Sequence, residues 1–451
     1  MDNTSKLGSE KISKLIFSLG LPAVAAQLIN VLYNIVDRIY IGNIPNYGDL
    51  ALTGVGVTLP IILIISAFSA FAGMGGAPLA SISLGKKDID EAEKILGNSF
   101  SMLIILSAIL TAIFLIFKEP MLYAFGASEN IINYSLDYIT IYLYGTIFVQ
   151  LSLGLNTFIS AQGYAKTAMI SVVIGALINI ILDPIFIFGF GLGVKGAAIA
   201  TVISQAVSAI WILRFLLVGK GILKIKSSKM KLSKKTITTI IALGISPFVM
   251  QSTESLVSIT LNTGLQNYGG DLYVGSMTIL MSIMQLIVMP INGFAQGAQP
   301  IISYNYGAGN YDRVRETFKR LLIITFSIST LWCILTFLIP GIFARMFTQS
   351  LELIEITSKV MPIFFAGIFI FGVQIACQST FLALGEAKIS LFLALVRKIF
   401  LLIPLAIILP RFFGVTGIYV AEPIADITAS VITLSIFIWK RKTLLPKQSS
   451  L

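Results

Sequence analysis

The chain has no histidine, only two cysteines among 451 residues, and only 12% charged residues. The lack of histidine excludes imidazole acid–base catalysis and the common histidine-bearing zinc sites. The two cysteines, Cys333 and Cys377, both lie in apolar runs. A thiol there is most simply a packing group and reports nothing about redox compartment. The scarcity of charge is the most telling deficit, because a soluble domain carries about 25%. Hydrophobic residues make up 56% of the chain, and its 37 glycines raise the apolar share to about 64%, against roughly 45–50% for soluble domains on the same count. Such a chain could not cover a soluble surface. These deficits exclude a soluble enzyme, a disordered protein and a nucleic-acid binder, and they point to an integral membrane protein built of helices.

Two further absences narrow the class. No G-x-x-x-x-G-K-[ST] stretch occurs, and no polar segment is long enough to hold a nucleotide-binding domain, which argues against a transport ATPase. No cofactor and no enzymatic activity are expected. The polar start, Met1 to Glu10, is followed by an apolar run too long for a signal h-region and without a small-residue cleavage pattern. That run reads as a retained first span.

What is present is a series of apolar runs long enough to cross a bilayer. They fall near 14–42, 53–78, 96–117, 133–160, 167–189, 195–218, 237–265, 273–300, 320–343, 358–382, 389–410 and 415–439, so twelve transmembrane helices are expected. The longest polar break, Gly219 to Lys235, carries seven lysines and reads as a linker between halves. The expected organisation is an N-terminal six-helix lobe over 1–219, a basic linker over 220–235 and a C-terminal six-helix lobe over 236–451. With both termini placed in the cytoplasm, 24 of the 32 Lys and Arg fall inside and 5 outside, leaving Arg38, Arg397 and Lys398 within spans. That bias follows the positive-inside rule and accounts for the net charge of +11 as membrane topology. A cell-membrane location is expected.

The halves repeat. Gly75, Pro78, Ser81, Gly85 and Asp90 match Gly297, Pro300, Ser303, Gly307 and Asp312 at an offset of 222. Gly163, Ala165 and Lys166 match Gly385, Ala387 and Lys388 at the same offset, and Gly193, Val194 and Gly196 match Gly414, Val415 and Gly417 at 221. Six spans per repeat return the chain to the side it started from. The pseudo-twofold axis therefore runs along the membrane normal, a design that usually carries its substrate between the lobes. Two fused, unlike halves fit alternating access better than a pore. A secondary transporter driven by an ion gradient is the default.

An ionisable residue inside a span costs roughly 2.5–3.5 kcal/mol at a helix centre and needs a reason. The acidic candidates are Asp37, Asp183, Glu254, Glu422 and Asp426, while Asp137 lies near the end of span four and reads as solvated. Asn179 and Asp183 are four apart on one helix face. Pro184 follows at once and frees backbone carbonyls. Carboxylate, amide and carbonyl oxygens suit a small cation or an exchanging proton. Asp37 completes the site if its helix faces span five, and its neighbour Arg38 points about 100° away. Thr201 is a further oxygen candidate, because the 221 offset makes it the repeat counterpart of Glu422. The plainer reading, a helix cap or structural hydrogen bond, remains open for Asp183. Glu254 is either a second ion or cargo site or a structural partner of Arg397 or Lys398. Glu422 and Asp426, also four apart, read as a second site or as a buried ion cluster with Arg397.

These residues resemble the multidrug and toxic compound extrusion (MATE) family. The likeness is carried by Leu32-Tyr33-Asn34-Ile35-Val36-Asp37-Arg38 through Gly42, by Asn179-Ile180-Ile181-Leu182-Asp183-Pro184 to Phe188-Gly189, and by Gln299-Pro300-Ile301-Ile302-Ser303-Tyr304-Asn305-Tyr306-Gly307. The last stretch looks most like the MepA-type bacterial drug exporters. The resemblance implies a V-shaped, all-α fold of two six-helix bundles that exports drugs against H+ or Na+. It implies a cation site at Asp37, Asn179, Asp183 and Thr201, a functional acid at Glu254, and a bend in span one at Pro22. Some members use an acid in span ten, where this chain has Gln374 and Gln378. The expectation is a monomeric exporter of cationic amphipathic drugs, with no metal beyond Na+ at the coupling site. The 13 Met and 30 Phe offer adaptable apolar walls. The alternative is a lipid-linked oligosaccharide flippase of the same broad superfamily, which would want a basic cavity for pyrophosphate.

Overall fold

The computed structural model describes residues 3–445. The first two residues of the polar N-terminal tail, and Lys447 of the basic C-terminal tail, lie outside the described residues. Within that range the chain is helical, with no strand among the described residues. The elements are α1 (Asn3–Ser9), α2 (Ile12–Gly42), α3 (Gly48–Gly85), α4 (Ile89–Ala124), α5 (Ile132–Tyr144), α6 (Thr146–Ala161), α7 (Ala165–Pro184), α8 (Val194–Val218), α9 (Lys234–Gly269), α10 (Asp271–Gly307), α11 (Tyr311–Leu338), α12 (Pro340–Arg345), α13 (Leu351–Phe364), α14 (Ile368–Ala383), α15 (Ala387–Leu395), α16 (Ile403–Ile408), α17 (Pro410–Phe413) and α18 (Val415–Leu444). Eleven stretches are long and apolar enough to cross a membrane, and α5 with α6, bent by 58°, makes twelve when taken as one span. The chain is an all-α, multi-pass membrane protein of two six-helix halves, and the twelve expected runs all fall on these helices.

Two spans are interrupted by π-helical turns, Ile185–Gly189 after α7 and Val396–Leu402 between α15 and α16. The first follows Pro184, which has no N–H to give to the carbonyl four residues back. Such turns recur at functional sites, and both neighbour candidate residues here.

The repeat is a repeat of backbone geometry. Gly193 has φ 55° and ψ −131°, and Gly414 has φ 57° and ψ −144°, a region that essentially only glycine enters. Three residues on, a Cβ at Gly196 would lie 2.6 Å from the backbone of Phe186, and one at Gly417 would lie 2.6 Å from that of Leu409. The motif therefore turns the chain sharply and then lets the next helix lie directly on the preceding one.

The helices form two compact units, residues 3–9 with 25–251, and residues 10–24 with 252–445. The division falls inside α2 and α9 and not in the lysine-rich linker, so each of these helices begins in one unit and ends in the other. The matched glycines account for it. In the first unit, a Cβ at Gly75 would lie 2.4 Å from the Ile240 carbonyl and one at Gly244 would lie 1.9 Å from that of Phe71, so the start of α9 lies against α3 backbone to backbone. In the second unit, a Cβ at Gly297 would lie 2.5 Å from Gly20 and one at Gly293 would lie 2.3 Å from Val24, so the start of α2 lies close against α10. Arg313 adds a bond from its guanidinium to the Glu10 carbonyl at 2.7 Å.

The linker is pinned to the first unit. Asn98 of α4 accepts from the Ser233 N–H at 2.7 Å, and Ser101 donates to the Met230 carbonyl at 2.8 Å. Lys226 pairs with the buried Glu93 at 2.6 Å, and Lys229 pairs with Asp90. Gln162 takes the Leu223 N–H on its side-chain oxygen at 2.9 Å, and its backbone carbonyl receives the Thr4 hydroxyl of α1 at 3.0 Å.

Candidate functional site

The first unit brings Asp37 of α2, Asn179 and Asp183 of α7, and Thr201 of α8 to one place, all four buried. One helical turn separates Asn179 from Asp183, so the amide donates to Asp183 Oδ1 at 3.1 Å. The same amide reaches Thr201 Oγ1 at 3.5 Å. The Asp37 and Asp183 carboxyls are close enough for their charges to act on each other. Three acceptor atoms, Asp37 Oδ1, Asn179 Oδ1 and Asp183 Oδ2, are buried and receive no donor among the described residues.

That pattern has a chemical meaning. A buried acceptor without a donor costs about 1–3 kcal/mol, and more when charged. Two adjacent carboxylates cannot both remain ionised and dry without a positive charge between them. The donor set is hard oxygen throughout. It fits one shared proton or one small monovalent cation, and those residues present would hold it. Arg38, next to Asp37 in the chain, is exposed. Asp137 sits at the surface, 3.4 Å from Lys195.

Sequence reasoning missed the layer around this cluster. Tyr138 of α5 is buried near Thr201, and Tyr33 lies one turn before Asp37 and near Gln205. Gln205 also receives the Ser152 hydroxyl at 2.6 Å. Aromatic residues at helical spacing read as ordinary core. The only available signal was that Tyr33 precedes Asp37 by one turn.

The second unit holds a different arrangement. Arg397, in the π-helical turn, donates from Nε to Asp426 Oδ1 at 2.6 Å and from a terminal nitrogen to Glu422 Oε1 at 2.7 Å. Its guanidinium also covers the Phe371 ring at 4.5 Å. Glu254 of α9 is paired with Lys398. Of the two partners considered for Glu254, it takes Lys398, while Arg397 joins the acid pair. Gln374 and Gln378 of α14 are buried, the former with no donor to its side-chain oxygen among the described residues. Among the described residues no group of three or more Cys, Asp or Glu is arranged to hold a metal ion. Pro22 lies within a continuous α2, two residues before the chain passes from one unit to the other.

The fold defines a twelve-span helical membrane protein of two related halves, with buried carboxylates in each unit. A family model, MatE, matches residues 22–185 and again residues 247–408, one copy per half. The chain belongs to the MatE family. It is 26% identical over 441 residues to the multidrug export protein MepA of Staphylococcus haemolyticus, covering 98% of this chain and 96% of that one. It is 25% identical over 425 residues to the Staphylococcus aureus protein of the same name, covering 93% of each. Among solved structures it is similar to the MATE multidrug transporter DinF-BH, solved in complex with a ligand, at 36% identity and a TM-score of 0.90, over 98% of both chains. It shares its fold with a MATE in the bent conformation, at 23% identity and a TM-score of 0.91, over 98% of both chains.

Proposed function

We propose that this chain is a secondary multidrug exporter that carries cationic amphipathic drugs out of the cell in exchange for H+ or Na+. The observation that carries the reading is the convergence of three buried, donorless acceptor oxygens from Asp37, Asn179 and Asp183. Asp37 and Asp183 supply the negative charge. Asn179 fixes the rotamer of Asp183, and Thr201 adds a neutral oxygen. Occupied by one proton or one monovalent cation the cluster loses half its negative charge; emptied, it sets two carboxylates against each other. The two states differ by several kcal/mol in what they ask of α2 and α7, and Pro22 is where α2 can bend in response. Supporting the drug reading are the likeness to MepA proteins over nearly the whole chain and to a multidrug transporter solved with a ligand bound. Glu254, exposed within an apolar helix, is the carboxylate we assign to cationic cargo. A flippase reading, which needs free basic groups for pyrophosphate, is disfavoured because Arg397 and Lys398 are already held by carboxylates. The protein acts as a monomer in the cell membrane with both termini and the linker in the cytoplasm, in keeping with the charge bias of its loops.

The test is efflux of one cationic dye from proteoliposomes, with the pH gradient and the Na+ gradient imposed separately. Dye movement driven by one gradient and abolished by its collapse supports the reading. Equal movement with and without either gradient overturns it.

A further inference from the structure

We propose that Lys398 is a tethered stand-in for cationic cargo: its ammonium holds Glu254 while no cargo is bound and moves to Oε2 of Glu422 when a cation takes Glu254. This inference rests on the reading of the cargo as cationic.

Four observations carry it. The pair is lopsided, with the Lys398 side chain only 6% exposed and that of Glu254 64% exposed. A buried stem thus delivers its charged tip to an exposed carboxylate. Arg397 is committed elsewhere, because both its bonds and its ring contact are made with Asp426, Glu422 and Phe371. Lys398 is the cation that meets Glu254. Lysine also suits the task, being a point charge on a flexible four-carbon stem, where Arg is a rigid fork.

A second berth exists for it. Glu422 uses Oε1 for Arg397, but its Oε2 is buried and has no donor among the described residues. Lys398 is close enough to Glu422 to feel its charge. Finally, the cluster is short of one positive charge. Two cations, Arg397 and Lys398, face three carboxylates, Glu254, Glu422 and Asp426. One external monocation completes the balance without leaving any buried charge unpaired.

Lys398 therefore sets a threshold. A cargo cation must outcompete an ion pair already in place, and neutral molecules gain nothing from the exchange.

The test uses the purified full-length chain and two probes of similar shape, tetraphenylphosphonium and neutral triphenylphosphine oxide. Lys398→Met should tighten tetraphenylphosphonium binding by roughly tenfold, the factor set by one charge-assisted hydrogen bond, and leave triphenylphosphine oxide unchanged. Lys398→Arg, which keeps the charge on a stiffer fork, should not tighten tetraphenylphosphonium binding, and adding Glu254→Gln to Lys398→Met should cancel the gain. Glu422→Gln tests the same exchange from its other end. With the charge of the second berth removed, Lys398 stays on Glu254 and tetraphenylphosphonium binds more weakly by a similar factor. Unchanged phosphonium affinity in Lys398→Met, an equal gain for both probes, or an unchanged Glu422→Gln overturns the proposal. A parent protein that binds neither probe and exports no cationic dye would overturn the cationic-cargo reading instead, so the two failures are separable.

Discussion

Asn179 donates its side-chain amide to Asp183 at 3.1 Å, one turn along the same helix, and the bond leaves the second carboxylate oxygen of Asp183 bare. Asn179 thus points the free oxygen of Asp183 without neutralising it. Asn179→Ala should keep the acid but lose its orientation. A charge-assisted hydrogen bond of about 1.5–3 kcal/mol corresponds to roughly 10–100-fold weaker cation or proton binding, read by the gradient needed for half-maximal efflux.

Removing either carboxylate should be more severe. Asp37→Asn and Asp183→Asn should reduce coupled efflux to background with membrane expression near normal, because losing a buried charge does not hinder insertion. Full efflux in either variant would take the first-unit site out of the mechanism.

Glu254→Gln should weaken transport of monovalent and divalent cationic drugs unequally, since the Coulombic attraction lost scales with the drug's charge. Cation binding at Asp37 and Asp183 should persist, because Glu254 lies in the other unit. Complete loss of both drug activities together with cation binding would make Glu254 part of the primary ion site.

Arg397→Met should destabilise the protein strongly. It leaves Glu422 and Asp426 buried, adjacent and unpaired, a loss of about 3–5 kcal/mol for a broken buried pair. Arg397→Lys should recover only part of this, because one ammonium cannot serve both carboxylates in the geometry of the guanidinium fork. Melting in detergent, followed by intrinsic fluorescence, measures both.

Gly414→Ala and Gly193→Ala separate strain from clash. At Gly414 a Cβ would meet no atom within 4 Å, so the cost is the backbone conformation alone, about 1–3 kcal/mol. At Gly193 the same Cβ would also lie 2.2 Å from the Tyr47 hydroxyl, so Gly193→Ala should lower the melting temperature further. Equal shifts would mean that Tyr47 moves aside freely.

The spans were legible because apolar length is a coarse and repeated signal. The first-unit cluster was legible because spacing of four, a following proline and the rarity of carboxylates in spans all fell on Asn179 and Asp183. Asp37 needed the further condition that α2 face α7, which no periodicity states. Tyr33, Tyr138 and Gln205 were hidden because aromatic and amide side chains in a helix look the same whether they pack or support a site. The choice between Arg397 and Lys398 as partner of Glu254 was also hidden. The two are adjacent in sequence, and only the π-helical turn decides which way each one points. Gly75 and Gly297 were visible as repeat markers, but what they do, docking one helix start onto another backbone, was not.

That docking has a consequence for how the protein is made. Residues 234–251 supply part of the first unit, so the first half cannot finish folding when the ribosome completes its sixth span. It must wait in the membrane until the beginning of the seventh has been inserted. The opening residues of α2, made near the start, wait far longer, because their partner α10 is synthesised well into the second half. A gene split at the linker would therefore yield two fragments that are each missing a piece the other carries, and neither should mature unless both are translated into the same membrane.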